Sequence, residues 1–397
     1  MEICHFIFRK KYDRIFIKNT LKIYGDIMKK VLNFVKGEIV LVISFVLAVA
    51  SCFIVTPNRG YIDYIDFKTL VLLFSLMAVT SGLGRMGVFR VLAEKLLTHV
   101  KSFSVLSLTL SLLCFFSSML ITNDVALITF VPFTLIILNM TGKKEKAIIL
   151  VTLETVAANL GSMATPIGNP QNLYLFSKYE MSMSDFFSAI LPYALLSLVL
   201  VSVCALFTGK EKIEISAEKT ELDFDKNLII YAILFVLSLL SVFRVVDYRI
   251  LLAVSLIVIL IFDRETFKHV DYSLLLTFVF LFIFIGNLGK IPAISDFLKN
   301  TVSGREVATG IISSQVFSNV PAAILLSDFT ENVKDLLVGV NLGGLGTLIA
   351  SMASLISYKY VAQALPQKKG KYFMYFTVVN IIFAAVLLLF YSLFTKV

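Results

Sequence analysis

Residues 159–173 read NLGSMATPIGNPQNL, and residues 341–355, NLGGLGTLIASMASL, lie against them without a gap. Asn159 pairs with Asn341, Gly161 with Gly343, Thr165 with Thr347 and Ile167 with Ile349, and a Leu falls second and last in both. Upstream, Thr122-Asn123-Asp124 stands where Ser318-Asn319-Val320 stands, and Leu83-Gly84-Arg85 where Leu288-Gly289-Lys290 does. The chain therefore reads as two copies of one unit.

The composition says what surrounds those copies. Of 397 residues 58% are hydrophobic and only 16% charged, and mean hydropathy is +0.88. That is more apolar side chain than a soluble core can use. Continuous spans are predicted near 37–56, 66–83, 183–208, 227–243, 248–262, 272–289 and 372–394, most of them about long enough to cross a hydrocarbon layer of roughly 30 Å. A soluble enzyme, a nucleic-acid-binding module and a secreted disulfide scaffold are excluded. The net charge of +9 is no nucleic-acid signal, because the Lys and Arg residues sit in short links between apolar runs. Cys52, Cys114 and Cys204 stand singly in apolar runs and Cys4 in the tail, with no C-x-x-C spacing, so they read as packing residues. His5, His99 and His269 fall in the tail or links, away from membrane depth. Trp is absent, which leaves interfacial anchoring to Tyr and Phe.

The chain divides into a basic cytoplasmic tail, 1–36, a first repeat, 37–208, a cytoplasmic linker, 209–226, and a second repeat, 227–397. The tail is too long for a signal n-region, so Val49-Ala50-Ser51-Cys52 only imitates a lipoprotein cleavage site, and Met28, before Lys29-Lys30, is an alternative start. Within the repeats, 103–140 and 306–329 are expected to be hairpins with tips at Thr122-Asn123-Asp124 and Ser318-Asn319. Ser318 has only about a dozen apolar residues before it and eight after it, too few for two spans, so that hairpin should be re-entrant. The arms of the first are long enough for either a re-entrant hairpin or two true spans. The segments 145–178 and 333–365 should be crossings broken in the middle, since Gly and Pro at that density cannot continue a helix. Asn159 and Asn341 are expected in the non-helical breaks. The resulting fold class is an all-α polytopic membrane protein of two inverted repeats, each with a re-entrant hairpin and a broken transmembrane helix. With the N-terminus cytoplasmic and the C-terminus outside the plasma membrane, 26 of the 36 Lys and Arg residues fall inside, as the positive-inside rule requires. Helix 88–100 reads as interfacial.

Irregular backbone in lipid persists only where it lines a cavity, so four interruptions imply a site between the copies. Its side chains are Thr122, Asn123, Asp124, Asn159, Ser162, Thr165 and Asn169 in the first copy and Ser318, Asn319, Asn341 and Thr347 in the second, with Gly161, Gly168, Gly343, Gly344 and Gly346 allowing close backbone approach. Half-helix carbonyls can coordinate a cation there and half-helix N–H groups can hold an anion. Asp124 is expensive at membrane depth and is expected to bind a cation or carry a proton; the plainer alternative is a carboxylate stabilising the first turn of a helix. Glu154 is a candidate second proton carrier or an Asn-bonded structural residue. A passive channel would need a charged ring along a pore, and an intramembrane hydrolase a nucleophile constellation at depth; the sequence carries neither.

At these residues the chain resembles the ion transporter superfamily that includes citrate and dicarboxylate symporters, arsenite permeases and a class of sodium/proton antiporters. The resemblance covers roughly residues 37–394 and rests on the tips TND and SNVP and on the block ANLGSMATPIGNPQN at 158–172. It implies Na⁺ sites at Thr122, Asn123, Gly161, Ser318, Asn319 and Gly343 with the substrate between them. The third tip position is Asp124 in one copy and Val320 in the other, where the symporters carry Thr; TNDVALITFVP also looks like the arsenite-permease hairpin; and Asn169 stands where many relatives carry Asp. The expected activity is secondary transport of a small anion, most readily a di- or tricarboxylate such as citrate, coupled to Na⁺ or H⁺; arsenite or antimonite efflux and sodium/proton antiport are the alternatives. No organic cofactor, catalytic residue or nucleic-acid partner is implied. The expected partners are the substrate and the bilayer, with a homodimer left open.

Overall fold

The computed structural model describes residues 28–29, 38–97, 100–213 and 226–394. Nearly all of the 1–36 tail, His99 and linker residues 214–225 lie outside that set.

Every apolar run becomes helix, because in lipid a backbone must satisfy its own hydrogen bonds. In chain order the helices are α1 Ile39–Cys52, α2 Phe67–Arg85, α3 Val88–Leu97, α4 Phe103–Ile121, α5 Asn123–Met140, α6 Ala147–Ser162, α7 Pro170–Lys178, α8 Met183–Leu206, α9 Lys226–Val242, α10 Tyr248–Phe262, α11 Tyr272–Gly289, α12 Pro292–Val302, α13 Glu306–Phe317, α14 Asn319–Ser327, α15 Val333–Gly343, α16 Met352–Ala364 and α17 Lys369–Phe394. Six among the described residues are long and apolar enough to cross a membrane: α2, α4, α5, α8, α11 and the one that ends at Phe394. Side chains such as Phe116, Ile136, Val199 and Ile382 are exposed on their outer faces, as a lipid solvent requires.

The helices form two groups. In the first, α1 packs on α11, and α2 packs on α9 and α10. Asn287 of α11 holds α1 and the turn at 59–64 by donating to Ser51 and Tyr61, both at 2.9 Å. The second group holds the repeated elements, in which α4 and α5 pack on α6 as α13 and α14 pack on α15, with α8 and α17 alongside.

The segments paired in the sequence share local structure. Helix α4 gives way to α5 at Thr122 (φ 73°, ψ 153°), and α13 gives way to α14 at Ser318 (φ 76°, ψ 155°). The broken helices stop at Ser162 and Gly343 and resume at Pro170 and Met352, positions equivalent in the gap-free alignment to within one residue. Hairpin lengths differ: α4 and α5 hold 19 and 18 residues, about 28 and 27 Å, whereas α13 and α14 hold 12 and 9, about 18 and 14 Å, too short to span.

The linker that begins at residue 209 is anchored at its start. Its first residues dock on the start of α4: Phe103 N–H donates to Glu211 O at 2.9 Å and Ile213 N–H to Lys101 O at 3.2 Å. Glu211 sits 3.0 Å from Lys143 and 3.1 Å from Lys146, whose ammonium groups hold its carboxyl below the ordinary glutamate range.

Candidate functional site

The tips and the breaks meet. At each tip the first N–H of the returning helix donates to a carbonyl of its own copy's break, Asn123 to Gly168 at 3.2 Å and Asn319 to Ala350 at 2.9 Å. Gly168 and Ala350 are alignment partners, so one contact is made twice. Thr122 and Ser318 hold a φ that side-chain-bearing residues avoid, at a cost of order 1–3 kcal/mol each. Such strain survives only where the surroundings enforce it, and here each tip is pinned by that bond.

Gly161 and Gly343 show why the block needs glycine. A Cβ on Gly161 would lie 2.2 Å from the Phe115 carbonyl oxygen, and one on Gly343 would lie 2.5 Å from Ser314 Oγ. Each break is thus pressed against the first arm of its own hairpin.

The carboxamides cross between copies. Asn123 Nδ2 donates to Asn159 Oδ1 at 3.0 Å, and the same oxygen accepts from Ser351 Oγ at 3.1 Å while Asn159 Nδ2 donates to Ser354 Oγ at 3.2 Å. In the opposite sense, Asn341 Oδ1 accepts from Asn169 Nδ2 at 3.1 Å and Asn341 Nδ2 donates to Asn172 Oδ1 at 2.7 Å. Since Asn169 aligns with Ser351 and Asn172 with Ser354, the two sets are reciprocal.

Two corrections to the sequence reading arise. Asn159 and Asn341 belong to the last turns of α6 and α15 rather than to the breaks, because the glycine two residues later needs close packing and not a non-helical backbone. Asn172, Ser351, Ser354 and Gln315 join the network without having been singled out. The first three align as polar pairs further along the same block. Gln315 spans the second break, donating to Gly343 O and Leu345 O at 2.9 Å and accepting from Thr347 N–H at 3.0 Å, and a lone Gln in an apolar arm gave little signal.

The remaining candidates fall into place around this core. Ser162 accepts from Asn169 at 3.2 Å, and Thr165 Oγ1 donates to Met119 O at 2.5 Å. Ser318 Oγ faces Ala350 O at 3.5 Å, and Thr347 Oγ1 is buried without a partner among the described residues. Thr122, Asn123, Ser318 and Thr347 with the Gly161 and Gly343 carbonyls offer oxygen atoms of the kind a hard cation takes, and a carbonyl already in a hydrogen bond keeps a second lone pair. Four helices, α5, α7, α14 and α16, begin here, so their positive ends converge on the site.

Glu154 stands apart from the tips. It is fully buried in α6, bonded to Thr134 Oγ1 through one oxygen and without a partner for the other among the described residues.

The copies differ in access. Thr122 and Asp124 line a cavity of about 490 Å³ that reaches Arg85, His269, Asp271 and Lys359. Asp124 Oδ1 has no hydrogen-bond partner there among the described residues. At the other tip Ser318, Asn319 and Val320 are only 0, 5 and 6% exposed. A second cavity, about 470 Å³, includes Asp66, Lys68, Tyr174, Lys178 and Asp328. Asp66 caps the start of α2 and Arg85 ends it, so the cavities lie at opposite ends of that helix. Tyr174 and Ser327 share a 2.8 Å hydrogen bond beside the ion pair of Lys178 with Asp328, which closes α7 onto α14 below the second cavity.

Comparison with known proteins agrees with this architecture. The sequence profile described as citrate transporter matches residues 27–335. An uncharacterized transporter, MJ0456, of Methanocaldococcus jannaschii is 35% identical over 308 residues, covering 77% of this chain and 84% of the relative. The inner membrane protein YbiR of Escherichia coli is 30% identical over 317 residues, covering 78% and 84%. A shorter stretch, 139 residues covering 35% of this chain and 28% of the relative, is 33% identical to the silicon efflux transporter LSI3 of rice, Oryza sativa subsp. japonica. The paired tips and breaks are thus set in a multi-pass membrane protein that belongs to the citrate transporter family, a family of transporters and not of enzymes.

Proposed function

We propose that the chain is a secondary active transporter of the plasma membrane that moves a small anion, a di- or tricarboxylate such as citrate, coupled to Na⁺ or H⁺ by alternating access. The observation that carries this reading is the unequal access of two matched tips: one opens into a cavity, the other is sealed. Two units related by inversion would exchange those roles when the hairpin-bearing group moves against the first group, giving one site two gates. The reciprocal bonds of Asn159 and Asn341 support a two-fold relation, and the charge bias supports an axis in the membrane plane, with the Arg85 and Lys359 mouth cytoplasmic. The four helix starts suit an anion, and the oxygens at the tips suit the coupling cation.

Arsenite or antimonite efflux, or sodium/proton antiport, is the second reading. It is favoured by Asp124, which lines the cavity and whose buried, unpartnered carboxylate oxygen would repel a multiply charged anion unless a cation neutralised it first. Reconstituted protein should take up labelled citrate or succinate when a Na⁺ or pH gradient is imposed separately. Accumulation of arsenite alone, in inverted vesicles, would move the assignment to efflux, and no gradient-driven flux of any of these probes would remove the carboxylate reading.

A further inference from the structure

We infer that Glu154 is a reversible proton-binding site, set apart from the tips, through which a pH gradient acts on the first hairpin. This rests on the ion-coupled reading above and commits it to the proton.

Glu154 lies in the middle of α6 with no exposed surface, and neither cavity described above reaches it. Its Oε1 accepts from Thr134 Oγ1 of α5, and its Oε2 is buried without a partner among the described residues. The ionisable groups that share its surroundings are the Cys114 thiol of α4 and the Tyr372 hydroxyl of α17. From α8, α15 and α16, which also pack on α6, no ionisable group acts on it. At the foot of α6, Lys143 and Lys146 are taken by Glu211, and Lys368 pairs with Glu145.

Those surroundings select the ligand. A carboxylate sealed from solvent with no cation beside it is costly, so this state holds the acid, with the proton on Oε2. A hard cation takes about six oxygen ligands, more than this carboxyl and two hydroxyls supply, and an organic ligand has no room; a proton needs neither. Leucine would fill the place without an orphaned oxygen, and what the carboxyl adds is a proton that can leave.

Two connections give that proton an effect. Thr134 lies about three turns along α5 from Asn123, so the state of Glu154 is felt by the arm that carries the first tip. Once the proton leaves, two acceptor oxygens must draw in Thr134, Cys114 and Tyr372 as donors or admit water, and either changes how α5 packs on α6. Toward the charged margin, Tyr372 stands in the first turn of α17 close after Lys368, whose partner Glu145 is about 14 Å of helix before Glu154. The proton passes between Oε2 and water at that margin, past the Tyr372 hydroxyl, with no other bond made or broken.

Infrared difference spectroscopy of the purified full-length protein reads the proton without any substrate. The wild type should show a buried carboxylic-acid C=O band that is lost reversibly as pH rises and is absent in Glu154→Gln. Thr134→Val should move that band to higher frequency as the hydrogen bond is lost, and Thr134→Ser should hold it in place. Identical carboxylic-acid bands in the wild type and Glu154→Gln, or a band that no pH removes from the folded protein, overturn the site. In vesicles, uptake of labelled citrate or succinate under an imposed pH gradient should fall in Glu154→Gln by about tenfold or more relative to exchange of the same substrate, and Glu154→Asp should recover part of it. Folding is checked by monodispersity and melting temperature. Equal loss of driven uptake and exchange in folded Glu154→Gln, the result of a merely structural role, overturns the inference, as does unchanged pH-driven uptake. A wild type driven by Na⁺ alone also overturns it while leaving ion-driven transport standing. No flux of any probe removes the proposed function, and the infrared band by itself then upholds or overturns the proton site.

Discussion

Asp124 and Gly161 frame what single residues decide. Asp124→Asn keeps shape and hydrogen bonding but removes the charge that a coupling cation would neutralise. The folded variant should still exchange substrate, while concentrative uptake driven by Na⁺ or pH collapses; measuring both in the same vesicles separates the roles. If Asp124 only steadies the start of α5, its loss costs about 0.3–1 kcal/mol and leaves driving-ion dependence unchanged. Gly161→Ala is a different experiment, because the added Cβ meets the Phe115 backbone, which cannot move aside. Overpacking of this kind costs about 1–3 kcal/mol, so a clear fall in melting temperature is expected. Gly289→Ala, where nothing lies within 4 Å, should be neutral or mildly stabilising in the same assay.

At the scale of elements, the sequence was most legible where apolar length and backbone chemistry act locally. The spans at 66–83, 183–208, 272–289 and 372–394, both hairpin turns and the two breaks were readable because lipid forces helix onto every apolar run and Gly-Pro density ends it. The helices near 37–56, 227–243 and 248–262 hold only 14, 17 and 15 residues and fall short of a full crossing. The turn of 306–329 was placed at Ser318 by its match to the Thr122 tip, its arms were expected to be too short to span, and α13 and α14 are as short as that count demands. What the pattern could not supply was partnership across the fold. Asn159 and Asn341 looked like loop residues because they precede glycines, yet the glycines serve helix packing and the asparagines cap a joint. Gln315 bonds to a break 28 and 30 residues further along the chain, a contact that no local periodicity records. Glu154 could be singled out as an acid at depth, but its Thr134 partner comes from a neighbouring helix.

For the whole molecule, the proposed inverted arrangement makes a prediction about the two faces of the membrane. A phosphatase fused after Val397 should be active outside the cell, and the same enzyme fused after Lys210 should stay inactive in the cytoplasm; equal activity at both would break the inversion. The reciprocal bridge bears also on ancestry. Asn159 of the first unit is met by Ser351 and Ser354, whose counterparts in that same unit are Asn169 and Asn172, the very residues that meet Asn341. The first unit therefore owns both sides of the clasp, an asparagine that is met and a pair that meets one. In the proposed inverted arrangement, an antiparallel pair of such units fused end to end would yield this architecture, with one half keeping amides at 169 and 172 and the other carrying hydroxyls at 351 and 354.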